Sequence, residues 1–198
     1  SFATATGALA GGWLAQILQS SGWTQLESYR LVLMGYAIGG FLLLILFMGV
    51  SSAIEVTHDA TKVKHTLGLH RSRNVVLKLS ALFALDAFAG GLVIQSMIAY
   101  WFHKTYGVDS GTLGSIFFGA NVLAGISALL AVPLANKIGL INTMVFTHIP
   151  SNILLMLVPL MPTLPLAIRL LLLRFSISQM DVPTRQSYTM AVVAPDER

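Results

Sequence analysis

Six stretches of the chain are apolar for long enough to cross a membrane as helices: roughly 1–19, 29–50, 79–102, 111–135, 141–161 and 164–182. Each is near the length that spans about 30 Å of hydrocarbon at helical rise. They are rich in Leu, Ala, Gly and Met and lack the alternation of polar and apolar positions that barrel strands show, so the pattern predicts helices. The expected fold class is an all-α membrane protein, a polytopic helical bundle with six transmembrane helices. Short polar connections separate most of the runs: SSGWTQLES, HKTYGVDS, NKIGL and the Pro-bracketed MPTLP. One connection is long, the segment 51–78, SSAIEVTHDATKVKHTLGLHRSRNVVLK.

Composition agrees with the pattern. The 198 residues are 55% hydrophobic and 10% charged, with a mean hydropathy of +0.76, whereas soluble domains carry about 25% charged residues. A net charge of +4 would fit nucleic acid, but the basic residues form no face interleaved with aromatics, and no nucleic-acid partner is expected. The absence of cysteine excludes disulfides and thiolate metal sites. Lys62, Lys64, Arg71, Arg73 and Lys78 of the long segment fall on the same side as Lys137, Arg185 and Arg198, eight in all, against Arg30 and Lys104 opposite. That asymmetry places the segment 51–78 in the cytoplasm. Trp13, Trp23, Tyr100, Trp101 and Tyr106 lie near helix ends, where interfacial aromatics collect. The chain opens on Ser and carries no signal-peptide pattern, so a piece of a longer protein is expected. Its expected units are two helices in 1–50, a basic cytoplasmic linker in 51–78, four helices in 79–182 and a cytoplasmic loop in 183–198.

Three features carry a resemblance to a known family. Gly7-Ala8-Leu9-Ala10-Gly11-Gly12 resembles the end of an antiporter motif, Gly-Pro-x-x-Gly-Gly, with Ala8 at the Pro and Ala3 at an upstream glycine. Generic close packing of small residues is the competing reading of Gly7, Gly11 and Gly12. Leu134-Ala135-Asn136-Lys137-Ile138-Gly139 resembles the cytoplasmic loop motif Gly-x-Leu-Ala-Asp-Arg-x-Gly-Arg-Arg, with Pro133, Asn136 and Lys137 at the first Gly, the Asp and the Arg. Leu140 and Ile141 replace its basic pair. The layout itself, two helices, a long basic loop and four helices, is similar to helices five to ten of the major facilitator superfamily of secondary transporters. The resemblance implies a partial fold of that family, completed by the remaining helices of a full-length chain. It also implies that the runs 79–102 and 164–182, as helices seven and ten, line a central cavity.

The polar residues inside the apolar runs are the candidate pathway. A carboxylate at bilayer depth is expensive, and Asp86 sits in LSALFALDAFAGGLVIQSMIAYWF. It lies eight residues after Lys78 and Arg174 lies seven before Asp181, so both stand about 10–12 Å from the cytoplasmic end. Arg174 is therefore the expected partner of Asp86, either as a static pair or at a coupling site. Arg174, Ser178, Asp181 and Arg185, spaced 4, 3 and 4, fall on one helical face. Asp181 and Arg185 form an i, i+4 pair and, with Asn136, Lys137 and Gly139, make a candidate gate or loop latch. Pro183 is expected to kink or end the last helix. Gln95 and Asn121 rank below these; Gln95 is about 180° from Asp86 on an ideal helix unless Gly90-Gly91 breaks it. His148, next to Pro150, reads as a packing residue.

No nucleophile elbow, P-loop or His-rich metal spacing occurs, so neither an enzyme nor a cofactor or metal is expected. The expected function is secondary active transport of a small organic molecule by alternating access, as proton-coupled efflux, in a plasma or bacterial inner membrane. The alternatives are an uptake permease for a sugar or organic anion, with Arg174 holding the anionic group, and a non-transporting receptor or scaffold.

Overall fold

The computed structural model describes residues 2–50 and 72–193 as eight α-helices. Most of the basic linker, 51–71, and the last five residues, 194–198, lie outside the described residues. Helices α1 (Phe2–Ser20) and α2 (Gln25–Met48) form the first unit. The second holds α3 (Arg73–Gly91), α4 (Gln95–Tyr106), α5 (Ser110–Ile138), α6 (Leu140–Leu157), α7 (Leu164–Phe175) and α8 (Asp181–Val192). Four segments are long and apolar enough to cross a membrane: Gln25–Met48, Arg73–Tyr106, Ser110–Ile138 and Leu140–Leu160. The six expected spans are thus matched by four on length and hydropathy among the described residues; α7, at 12 residues, reaches only about 18 Å.

Local chemistry explains where the helices depart from the apolar runs. α2 starts four residues early because Thr24 and Glu27 form a capping box: Glu27 N donates to Thr24 Oγ1 (3.3 Å) and Thr24 N donates to Glu27 Oε2 (3.0 Å). Asp109 caps α5, its Oδ1 accepting from Thr112 N at 2.8 Å. That backbone bond holds the Asp109 carboxyl below the usual carboxylate range. The run 79–102 is two helices rather than one, α3 stopping at Gly90-Gly91 and α4 restarting at Gln95; two adjacent glycines are poor helix formers. α5 and α6 are joined by the single residue Gly139, at φ +87°, where a side chain would be strained.

The run 164–182 also breaks. α7 ends at Phe175, and Ser176–Met180 continues as tight turns with bonds such as Ile177 N to Arg174 O at 3.2 Å. Ser127 of α5 steadies this turn, its Oγ accepting from Gln179 N at 3.4 Å. Pro183 does not end a helix here. It lies in the first turn of α8, where its missing N–H has no intrahelical role. Residues 183–192, expected as loop, are accordingly helical.

α1 and α5 form the most extensive helix pair, and small residues bring them together. A Cβ added at Gly12 would lie 2.6 Å from Ser110 O and 2.7 Å from Gly114 Cα; one at Gly114 would lie 2.8 Å from Ala8 O. Trp13 Nε1 donates across the same contact to Ser115 Oγ at 3.0 Å. Of the expected packing glycines, only Gly12 makes this close approach. Gly11 faces Val32 at ordinary distance, and a Cβ at Gly7 would meet nothing within 4 Å. A second core joins α4, α5 and α7 through Phe102, Phe117, Leu171 and Phe175, with Tyr106 Oη donating to Met161 O at 2.7 Å. α2 and α3 bury almost none of their apolar surface against this chain.

Candidate functional site

α3, α6, α7 and α8 bring their polar residues together around one cavity of about 330 Å³. Asp86 projects from the C-terminal part of α3, one helical turn before the glycine break. On α6, His148, Ser151 and Asn152 share a face at i, i+3 and i+4. α7 contributes Arg174, the turn contributes Ser178, and α8 contributes Asp181 and Arg185.

Four of these side chains form a closed ionic cluster. Arg185 Nη2 donates to Asp86 Oδ2 at 2.7 Å and to Asp181 Oδ2 at 2.8 Å. His148 bridges the same two carboxylates, with Nε2 at 3.1 Å from Asp86 Oδ1 and Nδ1 at 3.4 Å from Asp181 Oδ2. The Arg185 guanidinium also stacks on Phe83 of α3, 4.9 Å from the ring centroid, a cation–π contact that orients it toward Asp86. The Asp181 side chain is 9% exposed and that of His148 is 38% exposed, so the cluster is anchored at Asp181 and opens to the cavity at the imidazole. An imidazolium donates from both nitrogens and holds both carboxylates, whereas the neutral ring donates to only one. The cluster therefore ties α3, α6 and α8 more tightly when His148 carries a proton.

This arrangement corrects the expected pairing. Asp86 pairs with Arg185 and His148, not with Arg174. Among the described residues Arg174 forms no ion pair; its guanidinium lies over Phe175, 5.1 Å from the centroid, and its Nε is buried without a hydrogen-bond partner. The Ser178 Oγ beside it is likewise buried and unpartnered. The ideal-face argument assumed one straight helix through 182. The tight turns at Ser176–Met180 break that phase and bring Arg185, rather than Arg174, to Asp86.

The other expected site residues scatter. Asn121 is buried in α5 and donates from Nδ2 to Phe117 O at 2.8 Å, spending its amide on its own helix rather than on the cavity. Gln95 stands exposed in the first turn of α4 and does not line the cavity. Asn136 borders a separate hollow of about 280 Å³ against Pro183, Thr184 and Ser187 of α8. The α5–α6 loop motif thus adjoins the helix that carries Asp181 and Arg185. Lys137 is exposed, and Gly139 forms the joint between the two helices. The residue that sequence reasoning undervalued is His148. Its signal was present as a polar i, i+3, i+4 face, His148, Ser151 and Asn152, in an otherwise apolar helix.

Comparison with known proteins supports the membrane assignment. The chain is similar to the "Uncharacterized membrane protein YJR124C" of Saccharomyces cerevisiae, 26% identical over 223 aligned positions that cover 97% of this chain and 50% of that protein. The chain spans about half the length of this curated relative. With four candidate spans among its described residues, the chain itself is that of a multi-pass integral membrane protein. No family model matches it, and no solved structure matches it.

Proposed function

We propose that this chain belongs to a secondary active transporter of the major facilitator kind, moving a small organic molecule by alternating access with protons as the coupling ion. The observation that carries the reading is the Asp86–His148–Asp181–Arg185 cluster on a cavity wall between apolar helices. Charged groups at membrane depth are costly to maintain and mark pathways and proton relays, and an imidazole placed between two carboxylates is a group that can pass a proton. Proton loss at His148 loosens the tie between α3, α6 and α8, which is the kind of local change that biases a two-state rocking motion. The α1–α5 contact supports the same reading. Its backbones touch through Gly12 and Gly114, which places the two units in close contact at a seam across which they would move. The antiporter-like glycines of α1 favour efflux as the direction.

The test is flux. The full-length protein is reconstituted into vesicles holding a pH-sensitive dye, and small labelled organic acids, bases and neutral compounds are offered under an imposed pH gradient. At least one compound should move with a matching proton signal, and His148→Ala should abolish the coupling. Saturable binding with no flux of any compound would favour a receptor instead.

A further inference from the structure

Two buried polar atoms beside the ionic cluster have no partner: Arg174 Nε and Ser178 Oγ. Leaving such a group unsatisfied is costly, more so for a charged one; both residues line the cavity, so a small turn of their side chains toward a ligand there completes the bonding. Arg174 is also the cation of the cavity that lacks a carboxylate. Asp86 and Asp181 are both engaged by Arg185 and His148, which leaves the Arg174 guanidinium without an ion-pair partner among the described residues. A guanidinium flanked by a hydroxyl matches the two oxygens of a carboxylate.

The space beyond Arg174 changes character along its length. A second hollow of about 400 Å³ shares Asp86, His148, Asn152 and Arg174 with the first and runs toward the α3–α4 break. It shares Val93, Leu155 and Met156 in turn with a third, of about 330 Å³, whose wall is apolar and includes Met97 and Trp101. The three adjoin, leading from a charged, hydroxyl-bearing end, where Arg174 is set apart from the paired carboxylates, to an apolar end. Polar groups fixing one end of a ligand and apolar walls holding the rest is the common form of a small-molecule site.

We infer that the site takes an amphipathic organic monoanion, its carboxylate on Arg174 and Ser178 and its hydrocarbon body in the hollow beside Trp101. The inference rests on the transport reading only in treating this cavity as the substrate path.

The experiment is isothermal titration of the full-length protein in detergent with octanoate, octanamide, octyltrimethylammonium and acetate. Octanoate should bind at least tenfold more tightly than each of the others. Arg174→Gln should erase its advantage over octanamide, and Arg174→Lys, which keeps the charge, should retain part of it. Ser178→Ala should weaken octanoate by a few-fold. 8-Bromooctanoate should quench Trp101 fluorescence, and Trp101→Phe should remove that component. Equal affinity for octanoate and octanamide, or an octanoate preference unchanged in Arg174→Gln, overturns the assignment. Displacement of octanoate by phosphatidylglycerol assigns the groove to bilayer lipid and also overturns it. The two readings fail separately. Proton-coupled flux of a cation or neutral compound would leave transport standing without the anion site; Arg174-dependent octanoate binding without flux of any compound would do the reverse.

Discussion

Arg185 and Asp86 contribute unequally to the cluster, because Arg185 serves two carboxylates and Asp86 is one of two acceptors. Arg185→Gln leaves Asp86 and Asp181 facing each other with only His148 between them, and Asp181 is nearly buried. Asp86→Asn leaves Arg185 its bond to Asp181. Charge-assisted hydrogen bonds are worth about 1.5–3 kcal/mol each when sheltered, and the partial exposure of Asp86 and Arg185 lowers that value by solvent screening. Thermal unfolding in detergent should therefore show a loss of about 2 kcal/mol for Arg185→Gln and about 1 kcal/mol or less for Asp86→Asn. Equal losses would mean that Arg185 does not bridge the two acids. Asp86 stood out in the sequence because a lone carboxylate in an apolar run has few structural explanations. Its partner did not, because the choice between Arg174 and Arg185 depends on the turn at Ser176–Met180, and serines and β-branched residues there weaken a helix without fixing the angle at which it breaks.

Among the elements, α1 and α5 make the contact most sensitive to side-chain volume. At Gly12 a methyl group would press on backbone atoms, Ser110 O and Gly114 Cα, rather than on a side chain that can turn away. Gly12→Ala should thus separate the helices and cost about 1–3 kcal/mol, the range for overpacking a tight contact. Gly7→Ala should be neutral or stabilising by up to about 1 kcal/mol, since its surroundings are open and alanine favours helix. Thermal unfolding of the full-length protein in detergent should show that loss for Gly12→Ala and none for Gly7→Ala; equal losses for the two would mean that Gly12 does not set the contact. The helices themselves were legible as apolar runs, and the Gly90-Gly91 break was visible as a possibility. Which glycine packs was not legible, because Gly7, Gly11 and Gly12 differ only in the helix face that α5 covers.

At the scale of the whole molecule, the apolar faces of α2 and α3 are uncovered among the described residues, as expected of helices that meet lipid or further helices. α5 has 29 residues, about 44 Å of helix, so its two ends lie on opposite sides of about 30 Å of hydrocarbon. Single cysteines at the exposed positions Lys104 and Lys137 should therefore label from opposite faces of sealed membranes in a cysteine-free background, Lys137→Cys from the cytoplasmic face. Labelling of Lys137→Cys alone from outside intact cells would reverse the charge-based topology, and labelling of both from outside would mean that α5 does not cross. On the proposed function, the ionic cluster couples protons to movement rather than merely fixing the packing of α3 on α8. The direct measurement is pH-gradient-driven flux by the double variant Asp86→Asn/Arg185→Gln of the full-length protein, reconstituted beside the parent. The double variant removes one charge of each sign, and Asp181 keeps His148 as its partner. It should fold, express and show no proton-coupled flux; recovery of parental coupled flux would contradict the account and reduce the cluster to a structural tie.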